Sequence, residues 1–186
     1  MKKEWIVVGI ALLLSPLAGF AGDPPALAQN CVACHGADGV STNPEWPNLA
    51  GQNANYIALQ IIAFRDGERS NPMMDSLVSD LTDEDARVLS KWYAGLDATV
   101  SASGNETLVA TGENLSGYCK ACHGMEGTPV ANEWPVLAGQ QGPYLQRQLA
   151  AFKSSSRKSS FMQAALSQLG EQEFAALAAF YSQLKP

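Results

Sequence analysis

The sequence predicts an all-α chain folded as two tandem copies of one small helical domain, and three observations carry that prediction. The chain repeats itself: Cys31-Val32-Ala33-Cys34-His35-Gly36 returns 88 residues later as Cys119-Lys120-Ala121-Cys122-His123-Gly124. The same offset pairs Trp46-Pro47 with Trp134-Pro135, Leu49-Ala50-Gly51-Gln52 with Leu137-Ala138-Gly139-Gln140, and Tyr56 with Tyr144. It continues through Phe64 and Phe152, Arg69 and Arg157, Met74 and Met162, and Tyr93 and Tyr181. No insertion is needed from Cys31 to Leu184, the mark of a duplicated unit. Apolar residues also recur at helical spacing in both copies, and no run of useful length alternates as a strand would. Finally, residues 97–104 are rich in Ser, Ala, Thr and Gly, which reads as a linker between a first domain, 22–96, and a second, 105–186.

The elements follow in chain order. Residues 1–21 have a basic start at Lys2 and Lys3, an apolar run from Ile6 to Leu14 and the small-residue exit Gly19-Phe20-Ala21. That layout predicts a secretory signal peptide cleaved after Ala21, hence export to the periplasm. The run is too short to favour a bilayer span, and no other is longer. Ala26 to Ala33 then reads as a short helix or turn carrying the first cysteines. Asn53 to Arg65 shows Tyr56, Leu59, Ile62 and Ala63 on one side of a helix that Gly67 can end. Thr82 is placed to cap a helix beginning Asp83-Glu84-Asp85, whose charges suit a helix N-terminus. In the second copy, Glu106 to Lys120, Pro143 to Phe152 and Glu171 to Leu184 take the same parts, with Pro143 suited to a first turn.

Charge narrows the function. The 186-residue chain has a net charge of −6, and −7 once Lys2, Lys3 and Glu4 leave with the signal peptide. An acidic chain without basic clusters is no nucleic-acid binder. It is suited to meeting a basic protein surface. The acids are unevenly placed: residues 22–98 hold eleven acidic and four basic side chains, whereas residues 99–186 hold six of each. The N-terminal half is therefore expected to steer such an encounter.

The chemistry lies in Cys-x-x-Cys-His. Two thiols three residues apart can form thioethers with the two vinyl groups of one porphyrin, while the adjacent imidazole coordinates iron from the same face. The motif reads as a c-type haem site, and two copies at a fixed offset predict two covalently bound haem c groups. Cys31, Cys34, Cys119 and Cys122 are the attachment residues, and His35 and His123 the first axial ligands. Disulfides are permitted by export, but all four cysteines sit inside the motifs. A zinc site needs four ligands, yet each motif offers three and no other Cys or His exists in the chain. A thiol–disulfide exchange motif would sit in a strand-bearing fold.

With no spare His, the second ligand in each domain falls to Met, a pairing that raises the reduction potential. Met74 and Met162 share one register; Met73 pairs with Phe161 and Met125 with Ala37, so Met74 and Met162 are the expected ligands. The Pro47 and Pro135 carbonyls are placed to accept the ring N–H of His35 and His123. Arg69 and Arg157 read either as partners of a haem propionate or as ties for the Met loop. Trp46, Trp134, Tyr56, Tyr144, Trp92 and Phe180 read as pocket wall and core.

Taken together, Cys-x-x-Cys-His-Gly, Pro-x-Leu-Ala-Gly-Gln with its following Tyr, and Arg-x-x-x-x-Met before a Leu and an acidic helix make the chain resemble the dihaem cytochromes c4. The likeness covers everything after the signal peptide. It implies two tandem class I cytochrome c domains, each wrapped around one covalent haem, with propionate edges facing. It also implies a periplasmic electron carrier, free or loosely membrane-associated, between a cytochrome bc complex and a terminal haem-copper oxidase, its iron cycling between Fe(II) and Fe(III). One departure is Ser154-Ser155-Ser156 and Ser159-Ser160, where the first copy has Asp66-Gly67-Glu68 and Asn71-Pro72. An alternative reading is the cytochrome subunit of a periplasmic dehydrogenase, for example a flavin-dependent sulfide dehydrogenase. A dihaem peroxidase is a third, disfavoured because it needs an open iron position with acid–base groups beside it.

Overall fold

A computed structural model describes residues 24–100 and 105–186. The signal peptide expected at 1–21 and residues 101–104 of the linker lie outside the described residues. Nine α-helices are present among the described residues, and no strand. A 3-10 turn at Ala26–Ala28 leads into α1 (Gln29–His35), followed by α2 (Ala54–Arg65), α3 (Pro72–Val78) and α4 (Asp83–Ala94). The second copy comprises α5 (Glu106–Leu115), α6 (Gly117–His123), α7 (Gly142–Lys153), α8 (Ser160–Ala165) and α9 (Glu171–Gln183).

Each core is a pair of crossed helices. Ile57, Ile61 and Phe64 lie on one face of α2 at spacings of four and three and pack against Ala86, Leu89 and Tyr93 of α4. In the second copy α7 packs on α9 through Leu145, Leu177, Ala178 and Tyr181, and α5 crosses the other side of α9. That crossing needs Gly112, since a Cβ there would lie 2.0 Å from the Ala176 carbonyl oxygen. A fully buried Leu such as Leu89 or Leu177 contributes about 1.5–3 kcal/mol.

Most sequence-predicted helices are present, with two differences. The helix expected over Glu106 to Lys120 is broken: Ser116 is buried and its hydroxyl donates to the Glu113 carbonyl at 2.6 Å, ending α5 before α6 restarts at Gly117. A side chain that bonds the backbone locally competes with the helix in this way. The short helices α3 and α8 were not expected. Each is started by a cap: the Asn71 side chain accepts from the Met73 and Met74 amides at 3.1 and 3.3 Å, and the Ser159 hydroxyl accepts from the Met162 amide at 3.3 Å. Met74 and Met162 therefore occupy the same third position of equivalent helices.

Candidate functional site

The cysteine motifs close α1 and α6, and the glycine that follows each is structurally required. Gly36 and Gly124 have φ of +82° and +80°, and a Cβ there would sit 2.2 and 2.1 Å from the Val40 and Thr128 carbonyl oxygens. The left-handed turn brings the next loop back beneath the histidine. His35 Nδ1 lies 2.9 Å from the Pro47 oxygen and His123 Nδ1 3.2 Å from the Pro135 oxygen. A carbonyl only accepts, so Nδ1 carries the proton in both rings and Nε2 keeps its lone pair for a ligand. Burial pushes both imidazoles below their ordinary pKa, the proline carbonyls opposing it, so they are neutral at pH 7.

A groove of about 1850 Å³ runs through both domains, lined by Cys31, Cys34, His35 and Met74 of the first and Cys119, Cys122, His123 and Met162 of the second. Drug-sized pockets span roughly 300–1,000 Å³, so this one suits two large planar groups. Its chemistry fits a haem at each end. None of the four cysteines forms a disulfide, and among the described residues no group of three or more His, Cys, Asp or Glu is arranged to hold a metal ion. The phenols of Tyr93 and Tyr181 are buried without a hydrogen-bond partner, each against the first cysteine of its motif. Burial raises the pKa of Cys31 and Cys119.

Exposure separates the methionines. Met74 and Met162 are part-buried along the groove, whereas Met73 borders it at 52% exposure and Met125 lies outside it at 72%.

The domains join by a set of reciprocal bonds that sequence reasoning missed. Asn48 N–H donates to Gln140 Oε1 at 2.8 Å, while Gln140 Nε2 donates to the Asn48 carbonyl at 2.9 Å. Eighty-eight residues away from each, Val136 N–H donates to Gln52 Oε1 at 2.7 Å and Gln52 Nε2 to the Val136 carbonyl at 2.9 Å. Gln141 Nε2 reaches the Ser41 carbonyl at 2.8 Å, and Arg147 pairs with Glu45.

Deeper in, the paired arginines cross. Arg69 donates to Gln60 at 2.7 Å in its own domain, and to Gln148 at 2.8 Å and the Tyr144 hydroxyl at 3.1 Å in the other. Arg157 donates to Gln148 at 2.8 Å, and to Gln60 and the Tyr56 hydroxyl, both at 2.7 Å. Tyr56 and Tyr144 line the groove as expected but also tie the domains. Burial would raise the Tyr144 phenol, yet Arg69 and Arg157 together pull it below its ordinary range. The signal for this network was in the sequence, because Gln60 and Gln148 obey the same offset of 88.

Two helical domains, each carrying Cys-x-x-Cys-His with an oriented imidazole on one shared groove, define a dihaem c-type cytochrome, an electron-transfer protein. Known proteins agree. A model of the cytochrome c family matches residues 109–185, and one described as cytochrome c oxidase, cbb3-type, subunit III matches residues 26–92. Cytochrome c4 of Pseudomonas aeruginosa is 32% identical over 97% of this chain and 98% of its own. A thiosulfate dehydrogenase electron acceptor of Stutzerimonas stutzeri is 33% identical over 83% of this chain and 82% of its own. The crystal structure of reduced cytochrome c4 from Pseudomonas stutzeri superimposes with a TM-score of 0.79 at 26% identity, covering 84% of this chain and 94% of that one. The chain belongs to the cytochrome c4 family. It carries two covalently bound haem c groups on tandem cytochrome c domains and acts as an electron carrier.

Proposed function

We propose that the chain is a periplasmic carrier whose haem irons are each held by one His and one Met, His35 with Met74 and His123 with Met162. The haem supplies one-electron chemistry between Fe(II) and Fe(III). The protein orients each imidazole through a proline carbonyl and sets each methionine at the third position of a capped helix. The single observation that carries the reading is the shared groove on which both Cys-x-x-Cys-His motifs and both part-buried methionines converge. Cys31 and Cys34, and Cys119 and Cys122, attach the two haems; residues 22–96 and 105–186 are the two domains. Export by the segment 1–21 would deliver the chain to the periplasm, and no helix among the described residues is long and apolar enough to cross a membrane. Electrons would enter from a cytochrome bc complex and leave to a terminal haem-copper oxidase. The chain itself catalyses no substrate chemistry.

A second reading draws on one relative. An electron acceptor of thiosulfate dehydrogenase shares this architecture, so the donor is alternatively a periplasmic dehydrogenase, and the chain its acceptor or cytochrome subunit. Reduction of the purified protein by the bc complex, compared with reduction by a co-purifying dehydrogenase, separates the two.

Ligation has its own test. The weak ferric band of Met-ligated haem falls by about half in either Met74→Ala or Met162→Ala, and Met73→Ala leaves it intact. Loss of half the band in Met73→Ala would reverse the assignment in the first domain.

A further inference from the structure

Among the described residues, two buried side-chain polar atoms lack a regular hydrogen bond, and they are the same atom in the two copies: the phenol oxygens of Tyr93 and Tyr181. The residues are 1% and 3% exposed. A buried donor left unpaired costs about as much as a lost hydrogen bond, and phenylalanine would fill the same space without that cost. A hydroxyl kept in both copies therefore calls for a partner. Each tyrosine stands on the last turn of α4 or α9 and lines the groove beside the first cysteine of its own motif. Cys31 packs against the cluster that holds Tyr93, and Cys119 against that of Tyr181. Burial first, and then the neighbouring sulfur, pushes both phenols above their ordinary pKa, so each keeps its proton and is a donor. A thiol has a proton of its own to place, and Cys31 directs it at the Leu27 carbonyl. A thioether sulfur has none and can only accept.

The copies differ in one neighbour. Ser116 adjoins the Tyr181 phenol, and its own proton is committed to the Glu113 carbonyl, so its oxygen offers a second acceptor. The equivalent residue in the first copy is Ala28, fully buried and without a polar side-chain atom.

We propose that Tyr93 and Tyr181 are positioning residues for the covalent haems: each phenol donates to the sulfur of the first thioether, Cys31 Sγ or Cys119 Sγ, undivided in the first domain and shared with Ser116 in the second. The inference rests on the two-haem reading above. The last helix of each domain thereby holds one of the two thioether arms, and it holds the arm at Cys31 more firmly than the arm at Cys119.

The test is resonance Raman spectroscopy of the holoprotein, reading the haem C–S stretching band in water and after complete exchange into D2O. The wild-type band should shift on deuteration. Tyr93→Phe should remove the larger part of that shift and Tyr181→Phe the smaller part, whereas Ser116→Ala should increase it. Denaturant unfolding separates a hydrogen bond from mere packing, because phenylalanine keeps the ring. Removing an unpartnered hydroxyl would stabilise the first domain, and removing a bonded one should lower its midpoint. A wild-type band insensitive to deuterium overturns the proposal, as does a Tyr93→Phe protein at least as stable as wild type. Loss of the larger part of the shift in Tyr181→Phe, or no increase in Ser116→Ala, overturns the unequal sharing it contains. A wild-type mass lacking two haems would instead fault the two-haem reading.

Discussion

Helices α4 and α9 occupy equivalent places in the two domains, yet they are stabilised in different ways. α4 begins with a complete capping box: the Thr82 hydroxyl accepts from the Asp85 amide at 3.1 Å, and the Asp85 carboxylate accepts from the Thr82 amide at 2.9 Å. At α9 the cap is Gly170, and only the return bond survives, from the Gly170 amide to Glu173 Oε2 at 2.9 Å. α9 compensates by burial. Phe174, Ala176, Leu177, Ala178, Phe180 and Tyr181 are all enclosed, because α5 lies across one side and α7 along another. α4 buries one stripe, Ala86, Leu89, Ser90 and Tyr93, and turns Arg87, Val88 and Lys91 to water. Local hydrogen bonding holds the one, tertiary packing the other.

The largest expected effect sits on the packed helix. Gly112→Ala would drive a methyl into the Ala176 backbone, which cannot swing aside as a side chain can. A loss of more than about 3 kcal/mol, confined to the second domain, is expected on the scale of severe overpacking. Calorimetry should then resolve two transitions, and a single unshifted one would show that α5 and α9 separate freely. Thr82→Ala comes next, destabilising the first domain by about 1 kcal/mol in chemical denaturation, as loss of a helix cap does. An unchanged midpoint would mean that α4 rests on packing as α9 does. Gly170→Ser is the smallest, a gain of a few tenths of a kcal/mol by completing the missing half of the box. Its new Cβ would meet only the Glu173 carboxylate, at 3.3 Å, the mobile end of a side chain.

The site was legible because its parts are short motifs whose chemistry fixes their geometry. The two cysteine motifs, the proline carbonyls and the register of Met74 with Met162 could all be read from an offset of 88. Thr82 was legible as a cap for the same reason, its meaning being local. The capped helices α3 and α8 were not, since six or seven residues are too few to show a period. The break at Ser116 depends on one hydroxyl choosing the backbone, which no pattern announces. The crossed glutamines were visible as repeated letters but not as contacts. Repetition says that two residues share an environment, never that each serves the other's domain.

The interface between the halves is built on a twofold symmetry. Asn48 with Gln140 and Val136 with Gln52 are one contact made twice, as in an isologous dimer where residue i meets j and j meets i. A single-domain ancestor that dimerised through this glutamine would have needed concentration to keep its partner. Joining the copies replaces that with a tethered effective concentration in the millimolar range. It also frees the copies from being identical. A homodimer must carry every mutation on both faces, whereas here one half holds eleven acids against four bases and the other six against six. The joined chain keeps the twofold contact although one half is acidic and the other neutral.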